Sequence, residues 1–391
     1  SKIDETGDLP PAVSSLVGYM GYDMIANVEE LDLNNPDPLS VPDALLMRPT
    51  LIAVFDSVRD SLTLATPVRP QNDVSAEEAY EAAQTRLNEA VANLSNEVKR
   101  TPELNHKALR TKDMPKSASN TKASDYKAMV RKAQDYILAG DIFQVVLSQR
   151  FSMPFDLPAL NLYRSLRRLN PSPFLFLLKF DDFSVIGSSP EILVRLRDSE
   201  VTIRPIAGTR PRGATASEDK ALAEDLLNDP KELAEHLMLL DLGRNDVGRV
   251  AKPGSVVVTE RNTVEYYSHV MHIVSNVVGE IGEGEDAISA LFAGFPAGTV
   301  SGAPKIRAME IIEELEAEKR GVYAGAVGYF GADGSMDSCI ALRTAVLKDD
   351  VLYIQAGAGI VADSNPDAEQ RECEAKSGAL VAAAHDALNR A

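Results

Sequence analysis

Glu232 and Glu235 stand one helical turn apart within Lys231–Asp246, and Glu369, Glu372 and Lys376 stand at i, i+3 and i+7 near the end of the chain. Carboxylates three residues apart on a helix share a face, and two such groups can jointly hold a hard divalent cation. A solvated acidic edge is the alternative for either pair taken alone; a second acidic helix shifts the balance toward the cation. Gln144 shares a strand face with Ile142, Val146 and Ser148, where an amide needs a hydrogen-bond partner, structural or substrate. Arg343 interrupts an apolar strand pattern and calls for an anion or a carboxylate. Ala207–Gly213 combines glycines, which permit close backbone approach, with Arg210 and Arg212; it is either an anion-receiving turn or an ordinary Gly/Pro loop. Small residues from Gly298 to Ala303 precede a helix opening at Pro304, a second place for an anion. The P-loop spacing is absent there. Gly357–Ala362 matches G-x-G-x-x-A, but a turn at Asp363–Pro366 follows instead of the helix a pyrophosphate needs, so a dinucleotide site is rejected.

These side chains need elements to hold them. In the helix beginning at Asp229-Pro230, Leu233, Leu237 and Leu240 form an apolar stripe and Gly243 supplies the stop. The final helix runs from about Asp367. Ser75–Leu94 is predicted helical, with Ala76, Tyr80, Ala83, Leu87, Val91 and Leu94 as its buried stripe, and Ser124 is predicted to cap a helix that Gly140 ends. Ala159–Leu169 and Asp286–Ala293 also read as helices. Strands are predicted over 16–25, 51–58 and 61–65 (a hairpin), 142–150, 174–180, 183–187, 192–196, 201–206, 255–260, 266–278, 323–330, 336–347 and 351–355. His269 and His272 would lie on opposite faces of the 266–278 strand.

A net charge of −18 argues against nucleic acid or an anionic membrane as main partner, because both need a basic footprint. A small anionic substrate remains compatible if cations gather locally or a metal bridges the charges. Cys339 and Cys373 lack metal-ligand spacing and fit a reducing compartment. Without a signal peptide or a membrane-spanning apolar run, the expected address is the cytoplasm. Residues 99–122 are polar, aperiodic and linker-like. The expected organisation is an N-terminal part over 1–98, an exposed linker over 99–122 and a catalytic core over 123–391.

The motifs PIAGTRPRG, KELAEHLMLLDLGRND, YSHVMH, GTVSGAPK, GAVGYF, CIALRTA and QAGAGIVADS occur in this order. In order and form they resemble the chorismate-utilising enzymes, and among these the large, synthase subunits of anthranilate synthase. The resemblance runs from about residue 122 to the end, with a weaker GYMGYDM region near the start. It implies an α/β (α+β) fold: a single interleaved domain with two large antiparallel sheets flanked by helices. It implies Mg²⁺ held by Glu235 and Glu372, with Glu232 and Glu369 beside it. It places the substrate carboxylates on Tyr323, Arg343, the backbone of Gly357, Ala358 and Gly359, and Lys376, with Gly208 and Thr209 lining the pocket. Glu191 matches the acid that protonates the departing C4 hydroxyl of chorismate. His272 matches the histidine of pyruvate loss, and Thr299 lies near the same centre.

Two positions sort the family. Members that add water carry a lysine base where Gln144 stands, and an amide cannot serve as that base at neutral pH. Members making 4-amino-4-deoxychorismate carry a nucleophilic lysine where Ala207 stands, and alanine forms no adduct. Both favour amination at C2 and hence anthranilate. The alternatives are an enzyme that stops at 2-amino-2-deoxyisochorismate or another chorismate enzyme, and a non-catalytic chorismate- or amino-acid-binding regulatory protein. The chain contains no Cys-His-Glu glutaminase arrangement, so ammonia is expected from solution or from a glutamine amidotransferase subunit. Tryptophan-regulated relatives carry an N-terminal L-L-E-S segment, and this sequence starts after the place where it would lie. Their N-P-S-P-Y-M reads Asn170-Pro171-Ser172-Pro173-Phe174-Leu175 here, so Pro173, Phe174 and Leu175 are expected as a residual tryptophan site.

Overall fold

Strand β1 (Ser15–Met20) pairs antiparallel with a strand more than three hundred residues later, Leu16 opposite Phe330. That single pairing weaves the two ends of the chain into one sheet. The computed structural model describes residues 9–69, 71–96, 114–267 and 270–390. After β1 come β2 (Ala44–Met47), the hairpin β3 (Ile52–Asp56) and β4 (Ser61–Ala65), helix α1 (Ala76–Ser95), β5 (Ala118–Ser119), α2 (Ala123–Ala139), β6 (Gln144–Pro154) and α3 (Ala159–Leu169). The middle of the chain contributes β7 (Phe174–Lys179), β8 (Phe183–Ser189), β9 (Ile192–Arg197), β10 (Glu200–Ile203), β11 (Ile206–Pro211), α4 (Ala216–Asn228) and α5 (Pro230–Gly248). Then follow β12 (Val257–Tyr266), β13 (Val270–Glu280), α6 (Ala287–Gly294), β14 (Gly302–Ala303), α7 (Lys305–Leu315), β15 (Ala326–Gly331), β16 (Met336–Ile340), β17 (Thr344–Lys348), β18 (Val351–Ile360) and α8 (Pro366–Arg390).

Among the described residues the strands form a nine-stranded sheet, a seven-stranded sheet and the separate β3–β4 hairpin. All described pairings are antiparallel, as the resemblance implies. The nine-stranded sheet runs β11-β13-β10-β9-β16-β15-β1-β2, with β12 also on β13. The seven-stranded sheet runs β14-β6-β18-β17-β8-β7, with β5 also on β6. A continuous apolar core joins Tyr126 and Val130 of α2 to Leu147, Ala358 and Ile360 of one sheet and to Val194, Ala326 and Ile340 of the other. A second core packs α3 and α8 against the seven-stranded sheet through Leu162, Leu166, Leu380 and Ala384. Among the described residues no helix is long and apolar enough to cross a membrane.

Several elements depart from their sequence readings. Helix α5 runs through Gly243 to Gly248, and its buried face is His236, Leu239, Leu240, Gly243, Asp246 and Val247. Leu237 is 52% exposed. Counting leucines misplaced the face because it buries two polar groups with partners: His236 Nε2 meets Ser275 Oγ at 2.7 Å, and Lys305 Nζ donates to Asp246 at 2.9 Å. Helix α1 buries only Ala83 and Ala90, leaving Tyr80, Val91 and Leu94 exposed. Ser124 does not cap α2; Lys122 occupies that position and Ser124 bonds Asp125 from inside the first turn. The expected 336–347 strand is two strands in different sheets, broken at Ala341–Arg343. The Ala207–Gly213 turn is largely strand β11, and Gly357–Ile360 completes β18. Of the expected linker, residues 99–113 lie outside the described residues, while Ala118 and Ser119 pair with Ser152 and Phe151.

Candidate functional site

Two of the crossings from one large sheet to the other open on one cavity of about 430 Å³. Pro190 and Glu191 link β8 to β9; Ala341, Leu342 and Arg343 link β16 to β17. The crossings are tied together, since Ile340 N–H donates to the Glu191 carbonyl at 3.1 Å and Ser188 N–H to that of Arg343 at 3.2 Å. Arg343 has φ +46°, a left-handed conformation unfavourable for a side chain of this bulk. A residue between ladders escapes the in–out alternation of a strand, so a charged side chain can face an interior space. The Arg343 guanidinium accordingly lines the cavity and makes no hydrogen bond or ion pair with another described residue. Burial pushes the Glu191 carboxyl up to about 8, against a hydrogen bond from Thr299 and the charges of Arg343 and Lys376. Thr299 Oγ1 donates to Glu191 Oε1 at 3.0 Å. At neutral pH Glu191 is therefore a carboxylic acid with a proton to give.

On the same cavity β13 presents His272. Its Nδ1 lies 2.9 Å from the Gly208 carbonyl and 3.2 Å from Thr209 Oγ1. A carbonyl only accepts, so Nδ1 carries the proton and Nε2 keeps its lone pair. Burial, with Arg343 nearby, lowers the imidazole below its ordinary value and keeps it neutral. Tyr267 packs edge-on to the ring at 5.4 Å and donates its hydroxyl to Glu265 at 3.0 Å. His269 lies outside the described residues. Gly208 has φ +68°, and a Cβ there would stand 3.1 Å from Glu232 Oε2, so this turn of β11 takes glycine on both counts.

The first turns of α5 and α8 bring four carboxylates to the cavity: Glu232, Glu235, Glu369 and Glu372. The i, i+3 spacing read from the sequence thus points both pairs inward. Burial raises Glu235, and Glu232 and Glu372 add to it; burial also raises Glu369, with Glu372 contributing. Around them stand Lys376, 2.8 Å from Glu372; Arg210, 3.1 Å from Glu232; and Lys231, 2.9 Å from Asp363. Mutually repelling oxygens from two helices suit a hard cation. Among the described residues no three His, Cys, Asp or Glu side chains converge into a closed metal site, so a cation here would need further oxygens from a ligand. The donor set fits Mg²⁺ in that open form.

The rest of the wall is strand. Gln144 of β6 is 4% exposed, and its Oε1 has no hydrogen-bond partner. Lys376 Nζ donates to the Gly357 carbonyl at 2.9 Å, and the buried Tyr323 stands beside Gly357. Gly359 faces Gln144 so closely that a Cβ would lie 2.6 Å from Nε2.

Of the residues named from sequence, Gln144, Glu191, Gly208, Thr209, Glu232, Glu235, His272, Thr299, Tyr323, Arg343, Gly357, Gly359, Glu369, Glu372 and Lys376 share this cavity. Ala358 does not, because strand alternation turns its side chain into the core. Pro173, Phe174 and Leu175 lie at the start of β7, outside the cavity, with Phe174 packed near Tyr19 and Cys339. In the 207–213 and 298–305 segments, both read as places for an anion, the cations are already paired with acids. Arg210 pairs with Asp225, Asp229 and Glu232; Arg212 pairs with Asp219; Lys305 pairs with Asp246. Sequence reading missed Gln355, which donates to Ser148 Oγ at 2.8 Å. A glutamine at an inward position of β18 was the available signal.

A family profile described as chorismate binding enzyme matches residues 2–382. Anthranilate synthase component 1 of Cereibacter sphaeroides is 61% identical over 387 residues, covering 99% of this chain and 77% of that protein. Its counterpart from Pseudomonas putida is 51% identical over 384 residues, covering 98% and 77%. The crystal structure of anthranilate synthase component I from Streptococcus pneumoniae TIGR4 superposes with a TM-score of 0.87 at 41% identity, covering 97% of this chain and 83% of that one.

Proposed function

The chain belongs to the chorismate binding enzyme family, and from that premise we propose that it converts chorismate and ammonia to anthranilate and pyruvate, the first committed reaction toward tryptophan. One observation carries the choice among family chemistries: the buried, unpartnered Oε1 of Gln144 on the cavity wall, in a cavity that Ala207 rather than a lysine also lines. An amide oxygen accepts an N–H and so orients the lone pair of ammonia, and it cannot deprotonate water.

The residues divide the work. Arg343, Lys376, Tyr323 and the backbone of Gly357 to Gly359 take the two substrate carboxylates. Glu235 and Glu372 would hold Mg²⁺, backed by Glu232 and Glu369; bound there, it supplies positive charge against the ring carboxylate in a protein of net charge −18. Glu191 gives its proton to the C4 hydroxyl, which leaves as water while the nitrogen of ammonia bonds to C2. The nitrogen loses a proton, leaving the aminated, non-aromatic diene. His272 Nε2 then removes the hydrogen from C2. The C–O bond to the side chain breaks, enolpyruvate departs to become pyruvate, and the ring becomes aromatic. A glutamine amidotransferase subunit is the proposed ammonia source in the cell, and the cytoplasm the proposed compartment.

The test is a fluorescence assay of purified protein with chorismate, Mg²⁺ and ammonium at mildly alkaline pH, with products separated. Anthranilate that disappears with a chelator is expected. Accumulation of an aminated, non-aromatic product would move the assignment to the enzyme that stops there. A folded protein that consumes no chorismate would favour the binding-protein reading.

A further inference from the structure

Behind the cavity wall lies an ion pair that enters no step of this chemistry. Arg320 and Glu316, in the turn after α7, have side chains 1% and 4% exposed and stand 2.6 Å apart. Arg320 Nε donates to Glu316 Oε2 at 2.9 Å and Nη2 to Oε1 at 2.6 Å. Two further donors reach backbone: Nη2 to the Val146 carbonyl at 2.6 Å, and Nη1 to the Val300 carbonyl at 2.7 Å. The guanidinium lies over the Tyr22 ring at 4.8 Å and the Tyr323 ring at 5.6 Å. Glu316 Oε1 also accepts from the N–H and hydroxyl of Ser148, at 2.7 and 2.9 Å, and that hydroxyl accepts from Gln355.

Val146, Val300, Tyr323 and Gln355 all line the cavity, and they come from four separate segments. Val300 follows Thr299, the donor to Glu191, and Val146 is two residues from Gln144 along β6. A buried ion pair is a poor source of stability, because the cost of desolvating both charges rivals their attraction. A planar fork that holds two carbonyls of different segments, a carboxylate and two aromatic rings defines instead where those segments stand. We propose that Arg320, oriented by Glu316, is a positioning residue for the cavity, setting Thr299 against Glu191 and Gln144 against the reacting carbon. Its catalytic part rests on the function proposed above; its geometric part does not.

Two variants test this: Arg320→Lys, which keeps a cation beside Glu316 but cannot fork, and the double variant Glu316→Leu/Arg320→Met, which leaves no buried charge unpaired. In a variant folded by circular dichroism, amide hydrogen exchange is expected to rise at 144–148 and 298–301. The value of kcat/KM for chorismate is expected to fall about a hundredfold, the order of loss for a reacting group misplaced by about 1 Å. The basic limb of the pH profile should move upward as Thr299 leaves Glu191, a change that a merely structural role would not produce. Unchanged kcat/KM in a folded variant overturns the proposal whatever the exchange pattern, and so does failure of both variants to fold, which makes Arg320 a stability element only. If the wild-type protein consumes no chorismate, the functional reading fails, and exchange alone decides whether the pair holds the wall.

Discussion

Thr299→Val removes a single hydroxyl, the one that donates to Glu191. Burial pushes that carboxyl from an ordinary 4.5 to about 8, and the hydroxyl works against the rise by favouring the charged form. Ionising Glu191 in place therefore costs on the order of 5 kcal/mol more than in water. A hydrogen bond to a charged group is worth about 1.5–3 kcal/mol and one to a neutral group about 1, so losing it should raise the carboxyl further by about one pH unit. The acid acts in its protonated form. Wild-type kcat should hold below about pH 8 and fall roughly tenfold per pH unit above it, and the Val variant should keep its plateau and carry the fall about one unit higher. The assay is anthranilate fluorescence at saturating chorismate and Mg²⁺, with rates referred to the concentration of free NH₃. Stability supplies an independent check. The folded protein holds this proton up to about 8 and the unfolded chain releases it near 4.5, so the stability associated with Glu191 is full below 4.5 and is lost as pH rises through 8. Glu191→Gln cannot ionise, and its melting temperature should gain on the wild type as pH rises from 5 to 9. A basic limb that moves down in Thr299→Val, or a Gln variant whose relative stability ignores pH, would refute the assignment of Glu191 as a buried acid.

Glu372→Ala should abolish Mg²⁺-dependent turnover and weaken Mg²⁺ binding by calorimetry at least tenfold while leaving the circular dichroism spectrum intact; undiminished binding removes the metal assignment. Gly359→Ala puts a Cβ 2.6 Å from Gln144 Nε2 and should lower kcat/KM for ammonia about tenfold or more, with a smaller effect on chorismate affinity. The Tyr22 hydroxyl is buried without a partner while its ring packs against Arg320, so Tyr22→Phe should stabilise the protein by about 1 kcal/mol at unchanged activity. A lower melting temperature would show that the hydroxyl is satisfied.

The chemistry of this chain was more legible in sequence than its packing. Glu232/Glu235 and Glu369/Glu372 could be paired because helical spacing is a local property, and the helices carry them to the cavity as the spacing requires. Arg343 and Gln144 stood out as polar residues in apolar strand patterns, and both face the cavity. Failures came where a tertiary partner satisfied a group that looked free. Arg210 and Arg212 read either as an anion receptor or as solvated arginines of an ordinary loop, and they are paired with acids of α4 and the start of α5. A stripe drawn from leucines alone missed His236 and Asp246, which belong to the buried face of α5 through Ser275 and Lys305. The break at Arg343 was invisible because a continuous apolar run cannot reveal which of two sheets each half joins. Arg320 offered no signal, since its role depends on carbonyls of residues 146 and 300.

The pairing of β1 with β15 also bears on synthesis. Leu16 leaves the ribosome long before Phe330 exists, and at about 5–20 residues per second the wait is on the order of a minute or less. Throughout that interval β1 has no partner on the β15 side and offers an open hydrogen-bonding edge. The cavity is later still, because Glu372 and Lys376 lie beyond the last strand. A nascent chain can therefore complete its larger sheet only after β15 and β16 have emerged, and its catalytic site only after Lys376 has. Closing contacts of such long sequence separation makes folding slow. The interval in which chaperones matter most to this protein is therefore written into its topology.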